Sequence, residues 1–72
     1  MISGLLEMPS TAIRSMVYHP AEHSLDIEFV TGRLYRYADV PARVAEGMRT
    51  ARSKGGYFNR CIRDHFRYRR LN

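Results

Sequence analysis

The sequence predicts an α+β domain, a three-stranded antiparallel β-sheet followed by two α-helices packed on one of its faces. Three observations carry this. Leu25, Ile27 and Phe29 alternate with Asp26 and Glu28, the period of a strand buried on one side. Gly32 separates that segment from Leu34, Tyr35, Arg36 and Tyr37, a second strand-like run within hairpin reach. From Val40 onward the apolar spacing changes to that of helices, first Val40, Val44 and Met48, then Phe58, Ile62 and Phe66.

Seventy-two residues make one domain and bury a modest share of their surface, so aromatic and branched aliphatic side chains are expected inside. Residues 1–9 contain Leu5, Leu6 and Met8 without a sustained period and end in Pro9. They read as a flexible or loosely docked arm, or as a cover for a sheet edge of this chain or a second copy. Residues 10–70 form the domain. A first strand runs from Ile13 to Tyr18, rich in β-branched and aromatic residues, and Pro20 and Ser24 supply turn material after it.

The second and third strands can pair in two registers. If Val30 and Thr31 form a type I turn, Gly32 takes the left-handed bulge position. Ile27 then faces Tyr35, Leu25 faces Tyr37 and Asp26 faces Arg36. A two-residue turn at Thr31-Gly32 instead sets Arg36 against Ile27 and sends both tyrosines outward. Hydrophobic pairing favours the first register, with the tyrosines towards the core.

Pro41 suits a helix start, and Val40, Val44, Met48 and Ala51 form its apolar stripe, with Arg43, Glu46 and Arg49 facing water. Ser53-Lys54-Gly55-Gly56 breaks the pattern and reads as a flexible connector; as a phosphate loop it lacks the Walker pattern and a preceding strand. A second helix begins near Tyr57. It places Arg60, Arg63 and Arg67 on a face of their own, and the tail after it is expected to fray.

Charge is uneven along the chain. Up to Pro41 there are five acids against three arginines; from Ala42 onward Glu46 and Asp64 oppose eight arginines and Lys54. Such asymmetry points to an acidic partner, nucleic acid first, or to a solubilising surface. The nucleic-acid-binding candidates are Arg49, Arg52, Lys54, Arg60, Arg63 and Arg67, with Arg36, Tyr35 and Tyr37 as second choice. Four residues of zinc-ligand type occur at four-residue spacing, His19 with His23 and Cys61 with His65. The histidines flank a turn and Cys61 borders an apolar stripe, so no metal site is assigned. Cys61 with His65 as nucleophile and base lacks an orienting third group. No segment has the roughly 18 consecutive apolar residues of a membrane span. The lone Cys61 and the lack of a secretory pattern at the amino terminus fit a cytoplasmic protein.

The sequence resembles the KTSC domain, a short module at the end of some lysyl-tRNA synthetases that also occurs as free-standing small proteins. The resemblance spans residues 10–70. It is carried by Ser10-Thr11-Ala12-Ile13, Val17-Tyr18, Leu25 to Phe29, Gly32, the Tyr35-Arg36-Tyr37 centre that matches the family's YxY feature, Val40-Pro41, Ser53-Lys54-Gly55, Tyr57-Phe58-Asn59 and Ile62-Arg63. Gly56 and the arm before Ser10 depart from the family pattern. The resemblance implies RNA binding and brings neither a catalytic residue nor a cofactor. The reading is thus a non-catalytic RNA-binding module, monomeric or weakly dimeric. The rival is a protein-interaction adaptor, self-associating through the arm or a sheet edge. A third reading is a small hydrolase or ligand pocket near Lys54 and the tyrosines.

Overall fold

A computed structural model of the chain describes residues 13–72. The proposed amino-terminal arm, and Ser10, Thr11 and Ala12 of the family resemblance, lie outside the described residues. The described elements are β1 (Ile13–His19), β2 (Ser24–Phe29), β3 (Leu34–Tyr37), α1 (Ala42–Thr50), α2 (Lys54–Tyr57), a π-helical turn (Phe58–Ile62) and β4 (Tyr68–Arg70). The sheet is antiparallel in the order β1-β2-β3-β4. This is the expected α+β architecture with a fourth strand added among the described residues.

The β2–β3 register is the one with the tyrosines inward. Leu25 pairs with Tyr37, Asp26 with Arg36 and Ile27 with Tyr35. The turn explains it: Gly32 N–H donates to the Phe29 carbonyl at 2.8 Å, and Phe29 N–H donates to the Arg33 carbonyl at 2.9 Å. Gly32 sits at φ 93°, a conformation that a side chain resists. One extra residue is thereby absorbed at the bulge, and the apolar side chains of both strands fall on the same face.

That inner face forms the core. Leu25, Ile27, Val40, Met48 and Ile62 are fully buried, and Tyr37, Ala45 and Phe58 nearly so. The Tyr18 hydroxyl donates to the Val40 carbonyl at 2.7 Å, and Val40 N–H donates to the His23 carbonyl at 2.7 Å. These bonds pin the chain where it leaves the sheet for α1. Pro41 is the residue before the first turn of α1 and holds an extended conformation.

Two expectations for the second half are corrected. Ser53 to Gly56 is not a connector: the Ser53 side chain caps α2 by accepting from Gly56 N–H at 3.1 Å, and Gly55 is buried. Gly47 lets the two helices meet, because a Cβ there would lie 2.2 Å from the Tyr57 hydroxyl. That hydroxyl donates to the Val44 carbonyl at 3.0 Å. The helix then ends at Ile62 in a wide turn, with Arg63 N–H donating to the Phe58 carbonyl at 2.8 Å. Arg63 is extended and Asp64 has φ 66°, so the path reverses towards the sheet.

The tail does not fray. Ala38 N–H donates to the Arg67 carbonyl and Leu71 N–H to the Leu34 carbonyl, at 2.9 and 2.7 Å. The Asn72 side chain adds bonds to the Gly32 carbonyl and Leu34 N–H, at 2.8 and 3.0 Å. Backbone pairing and an amide clamp together hold a three-residue strand that is itself exposed.

Candidate nucleic-acid interface

The early end of the helix takes apart the expected arginine face. Arg60 stays on the π-helical turn, Arg63 is the residue after it, and Arg67 lies in the approach to β4. All three are exposed, but they do not share one helical stripe. Arg67 approaches Asp39 at 3.4 Å. Arg49 pairs with Glu46 one turn earlier on α1, and its guanidinium holds the Glu46 carboxyl below the usual range. Lys54 donates to the carbonyls of Arg49 and Ala51 at 3.0 and 3.4 Å, where a cation complements the carboxyl end of α1. Arg52, Arg60 and Arg63 make no ion pair among the described residues.

Arg36 is committed elsewhere. On the outer face it grips Asp26 through two bonds, Nε to Oδ1 at 2.7 Å and a terminal nitrogen to Oδ2 at 2.9 Å. His19 Nε2 lies 2.9 Å from the same Oδ2. The guanidinium bond is the main reason that the Asp26 carboxyl titrates below its ordinary value, with burial opposing it and His19 adding to it. Ser15 and Arg14 meet Glu28 on this face.

Tyr35 and Tyr37 lie on the opposite face. Tyr37 is buried and Tyr35 partly so. Burial pushes the Tyr37 hydroxyl up to about 12. Both rings meet Tyr68 of β4, Tyr35 edge-on at 5.5 Å between centroids and Tyr37 at 5.3 Å. Beside these rings lies an open groove of about 580 Å³, which Gly55 of α2 also lines. Arg33, Arg63 and Asn59 line it beside the rings.

Two of its residues, Tyr68 and Arg33, are not among the candidates that the sequence points to. Tyr68 falls in the tail expected to fray, where its sole signal is that of a β-prone aromatic residue. Cys61 and His65 are not helical neighbours, because the helix ends between them. No cluster of three or more His, Cys, Asp or Glu side chains among the described residues could hold a metal ion.

Comparison with known proteins fits this architecture. The chain is 38% identical over 66 residues to an uncharacterised protein of Stutzerimonas stutzeri, covering 90% of this chain and 93% of that one. It is 37% identical over 68 residues to a lysine–tRNA ligase of a Nostoc species, where 94% of this chain corresponds to 12% of the ligase. A crystal structure of a KTSC domain protein from Yersinia pestis superposes with a TM-score of 0.81 at 33% identity, covering 83% of this chain and 84% of that one. The KTSC domain model matches residues 9–66, which leaves β4 beyond the match. With most of its length matched by that model, the chain belongs to the KTSC domain family.

Proposed function

We propose that this domain is a non-catalytic nucleic-acid-binding module with RNA as its ligand. The observation that carries this reading is the recurrence of nearly the whole chain as a small part of lysine–tRNA ligases, enzymes whose name specifies an RNA substrate. The net charge of +5, concentrated after Ala42, supports it. Of the six candidate cations, Arg52, Arg60 and Arg63 are in no ion pair among the described residues and are the ones offered to phosphates, with Arg49, Lys54 and Arg67 as supporting positive charge already engaged in local contacts. The competing reading, an adaptor that binds protein through a sheet edge, rests on β1 and β4, which stand at the two ends of the strand order.

Fluorescence anisotropy of a labelled RNA, titrated with salt, tests the proposal. The affinity should fall steeply with salt, and replacing Arg52, Arg60 and Arg63 together by glutamine should lower the log–log salt slope by about 2 for a single strand. A chain that binds neither RNA nor DNA at low salt, or a triple variant with an unchanged slope, rejects it. Recovery of a single protein partner under nuclease treatment would favour the adaptor.

A further inference from the structure

The aromatic side chains at the open end of the inner face form a closed circuit. Phe29 meets Tyr35 at 5.7 Å between centroids, Tyr35 meets Tyr68 at 5.5 Å, and Tyr68 meets Tyr37 at 5.3 Å. Tyr37 meets Phe58 at 5.6 Å, and Phe58 returns to Phe29 at 5.5 Å. Four of the five contacts are edge-to-face, and the Tyr37–Tyr68 pair is tilted by 35°. All five rings line the 580 Å³ groove. They come from three strands and the π-helical turn, so no short motif contains them.

We propose that this groove receives an unstacked base of a single-stranded nucleic acid, with the adjoining phosphates drawn to Arg33 and Arg63. The inference rests on the nucleic-acid reading above and gives it a specific subsite. Four rings are held by mutual packing and are at least partly buried, whereas Tyr68 is 61% exposed and is the platform that solvent reaches. A preformed aromatic wall costs little ordering when a ligand arrives. The volume lies within the range of about 300–1,000 Å³ usual for small-ligand sites.

Charge decides the class of occupant. An aromatic enclosure can also bind an ammonium group through the faces of its rings. Here the lining carries Arg33 and Arg63 against Asp64, and Arg70 stands opposite Tyr35 across the β3–β4 pair. These cations oppose an ammonium ligand and favour an anionic one. A nucleotide joins a flat π-system to a phosphate, which suits aromatic floor and basic rim together. Asn59, on the same lining, supplies an amide that can both donate to and accept from a base edge. Duplex bases are stacked away from such a pocket, so the site selects single strands.

The experiment uses the full chain and a fluorescein-labelled single-stranded RNA of about eight nucleotides, a length within the range usual for small single-strand-binding folds. Tyr68→Ala should weaken binding about tenfold, the scale of one lost stacking partner, and leave the salt slope unchanged. Tyr68→Phe should retain affinity within about twofold, because it keeps the ring. Titration of the unmodified protein with uridine and adenosine 5′-monophosphates should shift the ring proton resonances of Tyr35 and Tyr68, a readout that needs no variant to fold. Shifts confined to the Arg52–Arg60 region, or unchanged affinity in Tyr68→Ala, would overturn the groove and leave the phosphate-binding surface standing. Loss in Tyr68→Phe equal to that in Tyr68→Ala would also overturn it, by assigning the contact to the hydroxyl. Absence of any binding by the unmodified chain would overturn both readings.

Discussion

The two faces of β3 are one residue apart in sequence and opposite in chemistry. Tyr35 and Tyr37 face a core and groove of aromatic rings, whereas Arg36 between them is held in an ion pair on the outer face. On the outer face the main charges meet partners: Arg36 and His19 meet Asp26, and Arg14 meets Glu28. The rim of the inner face leaves Arg63 without an ion pair among the described residues. A basic residue's availability to a ligand therefore depends on which face its strand or turn gives it. Total charge does not reveal this. Arg36 looks exposed and basic in sequence, yet its charge is already balanced.

The strongest way to probe the contrast is to trim a branched aliphatic side chain on each face. Ile27→Ala hollows a fully buried site against Tyr35 and should cost about 3 kcal/mol in chemical denaturation. Val17→Ala, on the outer face and 54% exposed, should change stability by no more than about 0.5 kcal/mol. Similar losses from the two variants would contradict the division into a packed and a solvated face.

Alkali gives a smaller effect confined to the inner face. Burial, with Tyr68 and Tyr35 adding to it and Arg63 opposing it, raises the Tyr37 hydroxyl from 10.0 to about 12. The native chain thus holds that proton more tightly than the unfolded chain does. The resulting stability is intact below pH 10 and is lost as pH climbs from 10 to about 12, by roughly 2–3 kcal/mol in all. Denaturant titrations of the unmodified chain and Tyr37→Phe at several alkaline pH values should diverge over that window. Parallel pH dependence would show that the ring is not buried in solution.

The β1–β3 half was legible because each local signal agreed with the global one. Alternation in Leu25–Phe29 named the buried face, and Gly32 fixed the register that puts Tyr35 and Tyr37 on it. The second half was legible in burial and not in path. Phe58, Ile62 and Phe66 do pack at the core, as their spacing implied, but Phe66 arrives there from beyond the helix. The turn that ends the helix uses Asp64 in a left-handed conformation, which the apolar spacing does not reveal. Strand β4 consists of three exposed residues, two of them arginines, and its support comes from Leu34, Ala38 and Gly32 far back in sequence. Local propensity cannot register such support. The groove depends on that strand for Tyr68, so the second-choice tyrosines acquired their surroundings only in three dimensions.

Of the two faces of β3, acid should act on the outer one, and more weakly. The Arg36 bond lowers the Asp26 carboxyl below its usual value, so folding favours the ionised form. The sign is opposite to that for Tyr37. The contribution is fully present above the unfolded carboxylate value of about 4 and disappears as pH falls through the lower native one. Asp26→Asn removes the titrating group while keeping its size, and should flatten the part of the acid limb that belongs to this site. The loss is expected to be smaller than that at Tyr37, because Arg36 is solvated and added salt screens the pair. Tm measured from pH 6 down to about 2, at low and high salt, reads both features. If Asp26→Asn retained the full acid limb, the outer-face network would not be coupled to folding, and Arg36 would return as a cation available to a ligand.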